Sequence, residues 1–192
     1  AASDVYKRQD ITSIIEECEL NGWEFVTGGF IDKIGEDGSF PFVDENTDLW
    51  EVFPISSFFR YPMSGACPNK ICVMRGWVTV TNGQHYAAIN EHTTWRWQGW
   101  NHPLRYPINK GFVQVHHFKW DKSSIERVRN VAMVNQPYAY SSEYRKMYES
   151  LRKTKFKIDL DETEYMFEKN TSKPEFKQYK QWNKLIKKII SI

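Results

Sequence analysis

WEFVTGGFIDKI, Trp23 to Ile34, decides the fold. Aromatic and β-branched residues dominate it, and it reads as a strand bent at Gly28-Gly29. Upstream, Ile11, Ile14, Ile15 and Cys18 fall at helical spacing, with Asp10 or Thr12 as N-cap. Gly22 suits the left-handed position that ends such a helix. Downstream, GEDGSFPFVDENTDLWEVFP (35–54) reads as a long polar loop, of a length that is usually functional. NKICVMRGWVTVTNGQHYA (69–87) is strand-rich, with TNGQ as its turn. NEHTTWRWQGWNHPLRYPINKG (90–111) is irregular and aromatic, and FVQVHHFKW (112–120) is a further strand. Helices are predicted over 121–134, capped by Ser123 or Asp121, and over 141–153, where Ser142 and Glu143 suit the start. A basic amphipathic helix follows Pro174. The mix is α/β or α+β.

Composition bounds the function. The 26 basic and 24 acidic residues leave a net charge of +2, so no nucleic-acid partner is expected. Aromatics reach 16 %, with eight Trp, which fits a heavy aromatic core or a sugar-stacking cleft; composition alone favours the core. Cys18, Cys67 and Cys72 are an odd set without C-x-x-C spacing, read as reduced thiols of an intracellular protein. No apolar run approaches the roughly 18 residues of a membrane span, so no transmembrane segment is expected. DVYKRQ, Asp4 to Gln9, resembles the in-frame translation of an adapter used in transposase-made sequencing libraries. The expectation is an artefactual tail over 1–9, with natural sequence from Asp10 and the front of a gene missing.

Strand alternation sorts the candidate chemistry. In an extended strand Val113, Val115, His117 and Lys119 share one face, and Gln114, His116, Phe118 and Trp120 the other. The two histidines then serve different sites. His117 with Lys119 is the suggestive pair, an imidazole able to ligate a cation and an ammonium able to meet a phosphate oxygen. The plain alternative is a half-buried histidine beside a solvated lysine, with His116 structural. Among the acidic residues, Asp32 at a strand end and Glu51 in LWEVFP have ordered apolar neighbours; a carboxylate there would serve as a base. Glu36, Asp37, Asp44, Glu45 and Asp48 read as loop charges. GQH places His85 after a turn, whereas His92 and His102 sit in featureless loops. DLD, Asp159 to Asp161, matches D-x-D but reads as surface. Phosphate-loop, dinucleotide, hydrolase and zinc motifs are absent.

Taken in order, NGWEFVTGGFIDKIGEDGSFP, LWEVFP, NKICVMRGWVTVTNGQHYA, VQVHHFKWDKSSIERVR and YRKMYESLRKTKFKIDL resemble the C-terminal half of bacterial family-2-like glycosyltransferases, which are similar to family 92. The likeness covers residues 10 to 160, with a G-x-x-x-D strand, a G-x-H turn and an H-[FY]-[KR] strand in family order. It implies a truncated GT-A-like α/β fold with a mixed sheet, flanking helices and a helical extension over 161–192. His117 would complete a Mn²⁺ or Mg²⁺ shell or touch the diphosphate. Lys70, His85 and Lys119 would lie on the nucleotide-diphosphate side, and Asp32 and Glu51 on the acceptor or base side. The donor would be a nucleotide sugar and the acceptor a glycan or lipid-linked sugar, in the cytoplasm or at the inner membrane face. The family's D-x-D-E-F metal motif is not in this chain, so catalysis by the chain alone is not expected. The competing expectation is a non-catalytic carbohydrate-binding module stacking sugars on Trp95, Trp97 and Trp100. A membrane-surface role for the terminal basic helix is weaker than docking of its apolar side on protein.

Overall fold

Ile11–Asn21 forms helix α1, burying Ile14 and Cys18. Gly22 ends it at φ +70°, and the Trp23 amide donates back to the Cys18 carbonyl at 3.0 Å. This is the glycine-terminated closure that the NGW stretch predicts. Strand β1, Phe25–Ile34, is buried at every position, including Asp32 and Lys33. The chain is seen in a computed structural model, which describes residues 11–59, 63–65, 67–81, 83–88, 94–95, 103–134, 140–162, 168–169 and 181–191. The tail over 1–9 lies outside them.

After β1 come helix α2 (Leu49–Val52) and strands β2 (Ile55–Ser57), β3 (Asn69–Met74), β4 (Thr79–Val80), β5 (Ala87–Ala88), β6 (Thr94–Trp95) and β7 (Val113–His117). Helix α3 (Lys122–Met133), helix α4 (Ser141–Lys153), strand β8 (Glu168–Lys169) and helix α5 (Trp182–Ile190) complete the order. The protein is therefore mixed α/β. Its three cysteines are free, and no helix among the described residues is long and apolar enough to cross a membrane.

The chain divides into two interleaved units. One takes residues up to Gly29, Asn69–Val115 and the chain from Ile186; the other takes Phe30–Pro68 and His116–Leu185. In the first, Phe25 to Gly29 pair antiparallel with β3, with a register shift between Val26 and Thr27. The irregularity expected at Gly28-Gly29 thus falls two residues earlier. Gly28 instead permits close approach of β7, since a Cβ there would stand 2.5 Å from the Val113 carbonyl oxygen and 2.6 Å from Val113 Cγ2. Strands β4, β5 and β6 form a small antiparallel sheet. Among the described residues two cores serve this unit, one around Phe25, Ile71, Val78 and Ala87, the other around Ile14, Cys18, Val26 and Tyr106.

In the second unit, β1 pairs antiparallel with β2, Asp32 opposite Ser57 and Ile34 opposite Ile55, and β2 pairs with β8. The core is Ile34, Ile55, Phe59, Trp120, Val128, Met147, Leu151 and neighbours. Helices α3 and α4 pack on one another and supply its last three members. Asp121 caps α3 by accepting from the Ser124 amide at 2.9 Å. Helix α4 starts as expected, with Ser142 and Glu143 in its first turn, and Tyr140 holds the cap position without a side-chain hydrogen bond. The 35–54 loop also contains α2, capped by Asp48. In α5, Trp182 and Leu185 are buried in this unit, and Ile186 and Ile189, which fall to the first unit, are buried too.

Candidate functional site

The second unit holds a polar cluster where β1 and the end of β7 present Asp32 and His117. Asp32 is fully buried. Its Oδ1 accepts from Trp120 Nε1 at 2.7 Å and faces His117 Nδ1 at 3.0 Å. A carboxylate only accepts, so Nδ1 carries the hydrogen and the imidazole is fixed in orientation and tautomer. Asp32 Oδ2 has no hydrogen-bond partner among the described residues, and the same holds for Ser57 Oγ. Because Ser57 is the register partner of Asp32, both side chains rise from the same side of the sheet. The Phe30 ring packs on His117 at a centroid distance of 4.7 Å.

This arrangement corrects one expectation. Alternation through Trp120 put that indole and His117 on opposite faces. Strand β7 stops at His117, and beyond it the chain turns so that both side chains meet one oxygen of Asp32. His116 and Phe118 do share a side, since both set a ring edge-on to Trp50, at 5.0 Å and 4.8 Å.

His117 opens onto a cleft of about 420 Å³ lined by His117, Phe118, Lys119, Asp121, Ser123 and Arg127. Lys119 Nζ donates to the Tyr144 hydroxyl at 3.2 Å. The Asp121 carboxylate is engaged as the α3 cap and also accepts from Ser123 Oγ at 2.8 Å. Lys119 and Arg127 therefore set the sign of the cleft, which suits an anionic group with several acceptor oxygens.

The reverse side of β1 is of another kind. Lys33 is fully buried, donates to Ser56 Oγ at 2.9 Å, and lies 5.0 Å over the Trp50 ring. His116 is pushed down to about 4, first by burial and then by the Lys33 charge. It is a neutral, packed ring at ordinary pH.

The sequence candidates divide between the units. Asp32 and His117 are brought together, with Lys119 in the same cleft. Glu51 lies in the same unit, exposed on α2. Lys70 and His85 belong to the other unit. Lys70 is half-buried on β3 opposite Gly28. His85 Nδ1 lies 2.6 Å from the Asn69 carbonyl oxygen, while Asn69 Nδ2 donates to the His85 carbonyl at 3.0 Å. His85 thus clasps its turn to β3. Asp159 Oδ1 accepts from the Asp161 amide at 3.1 Å, so DLD closes a local turn. His92, His102, Trp97 and Trp100 lie outside the described residues, and Trp95 is described only by its strand.

Sequence reasoning missed Trp120, Arg127, Tyr144 and Lys33. Arg127 alone had a usable signal, one turn into a helix that starts beside HHFKW. Among the described residues no group of three or more His, Cys, Asp or Glu side chains could hold a metal ion. They supply one oriented imidazole with a carboxylate behind it, the usual support of a metal-bound histidine, but not a metal shell. Compared with known proteins, the chain matches no family model, no curated sequence and no solved structure.

Proposed function

We propose that this chain supplies the diphosphate-facing half of a GT-A glycosyltransferase of the family-2-like kind, moving a sugar from a nucleotide donor to a glycan or lipid-linked acceptor. The observation that carries the reading is the Asp32–His117 pair at the wall of a cleft holding Lys119 and Arg127. In sugar transfer the bond between the sugar and the nucleoside diphosphate breaks, and negative charge grows on the departing phosphate. Fixed cations placed there stabilise that charge without reorganising.

Each residue then has a part. Arg127 and Lys119 meet phosphate oxygens, with Tyr144 restraining the lysine. Asp32, closed to solvent, acts by orienting His117. Glu51 is the exposed carboxylate left for the acceptor side. His117 would help hold Mn²⁺ or Mg²⁺, whose positive charge would offset the negative charge of the departing diphosphate; the other ligands would be carboxylates from outside the described residues. On this reading the protein works in the cytoplasm or peripherally at the inner membrane face, and the chain alone does not turn over donor.

Titration with UDP, GDP and inorganic pyrophosphate, followed by imidazole NMR, tests it. The expected result is weak binding that shifts the His117 resonance and is reduced about tenfold in Arg127→Ala. No response of His117 to any diphosphate defeats the proposal. Tight, Mn²⁺-dependent nucleotide-sugar binding by the chain alone defeats the assignment of the metal carboxylates elsewhere.

A further inference from the structure

The first unit carries a second concavity that the transfer reading does not use. It has a volume of about 290 Å³, near the lower end of small-molecule sites, and lies among the end of α1, the start of β1 and the turn after β3. Ile15, Cys18, Trp23, Glu24, Arg75 and Trp77 give it its character. Trp77 is 64 % exposed, a large indole held in water by the tight Arg75–Val78 turn, whose Val78 amide donates to the Arg75 carbonyl. Arg75 lies over one face of that indole, 5.3 Å from the ring centre. The Arg75 Nε also stands 3.5 Å from Glu24 Oε2 and donates to the Trp23 carbonyl at 3.4 Å. Glu24 Oε2 is buried and accepts no hydrogen bond in the described structure.

We infer that this concavity is a binding site for a neutral sugar residue of a glycan chain. A sugar ring offers an apolar C–H face and a rim of hydroxyl groups. The face matches the exposed Trp77 and the apolar wall of Ile15, Cys18 and Trp23. The hydroxyls match a carboxylate and a guanidinium already fixed side by side, one accepting and one donating. A purely apolar occupant, such as a partner helix, fits worse. It would strip water from the Glu24–Arg75 pair and give neither group a partner in return, which is costly. An anionic ligand would face Glu24 and Glu19, both in the lining. The site stands independently of the transferase reading, because it shares no residue with the Asp32–His117 cleft.

The test uses the full chain with ¹⁵N-labelled indoles, assigning the Trp77 signal by its loss in Trp77→Phe. Maltohexaose, cellohexaose and chitohexaose are added without metal or nucleotide. At least one should move the Trp77 signal saturably. By isothermal titration calorimetry, Trp77→Ala should weaken that binding about tenfold, the loss of one stacked ring. Glu24→Gln should weaken it while leaving the far-ultraviolet circular dichroism unchanged, and Leu20→Ala, on exposed α1 surface, should leave binding intact. The inference is overturned if none of the three sugars moves Trp77, or if Trp77→Ala binds as the parent does. It is also overturned if the Trp77 signal moves with protein concentration alone, which would mark a contact between copies. None of these outcomes bears on diphosphate binding by His117.

Discussion

At the scale of single residues, the decisive atom is Asp32 Oδ1, which takes two donors in a site closed to water. Trp120→Phe removes one of them and leaves part of the indole's space in the core empty. Hydrogen bonds to charged acceptors contribute about 1.5–3 kcal/mol and the cavity adds to that, so urea unfolding should show a loss of at least that order. A second prediction concerns His116, whose folded value of about 4 lies below the free imidazole value of 6.5. The unfolded chain therefore takes up this proton first. The stability it supports is complete above pH 6.5 and is lost as pH falls towards 4, by about 3 kcal/mol at the limit. His116→Phe keeps the ring against Trp50 and should flatten that slope when unfolding is measured from pH 7 to pH 4.

At the scale of elements, legibility depended on whether a signal was local. Gly22 and Asp121 act on backbone groups a few residues away, and both were readable. The end of β7 was not, because apolar and aromatic residues continue past His117 and periodicity has no mark for a strand that stops pairing. Nor could sequence show that Asp32 meets His117, 85 positions away. Each residue alone looked like a reasonable candidate, but the partnership belongs to the sheet. Helix α2 hid inside a stretch whose polar residues are partly its own caps. The Gly28-Gly29 pair was read as a bend, whereas Gly28 serves close approach. Gly28→Ala should cost about 1–3 kcal/mol by overpacking against Val113 and Val115, visible as a lower thermal midpoint.

At the scale of the molecule, the mixed α/β class was readable from the order of elements, and the interleaving of the two units was not. It arises because long-range pairs, not neighbours in sequence, build the cores of both units. High sequence separation raises the loop-closure cost before contacts form. Refolding followed by tryptophan fluorescence should therefore take milliseconds to seconds; microsecond refolding would contradict the topology. The same interleaving has a consequence for the nascent chain. As residues leave the ribosome one after another, Phe30–Pro68 emerges long before its partner segment, which begins at His116. During that interval the Lys33 ammonium and the apolar strand around it have no finished shelter. A chaperone that holds extended apolar segments would meet its best target here, in the stretch that the completed protein hides most thoroughly.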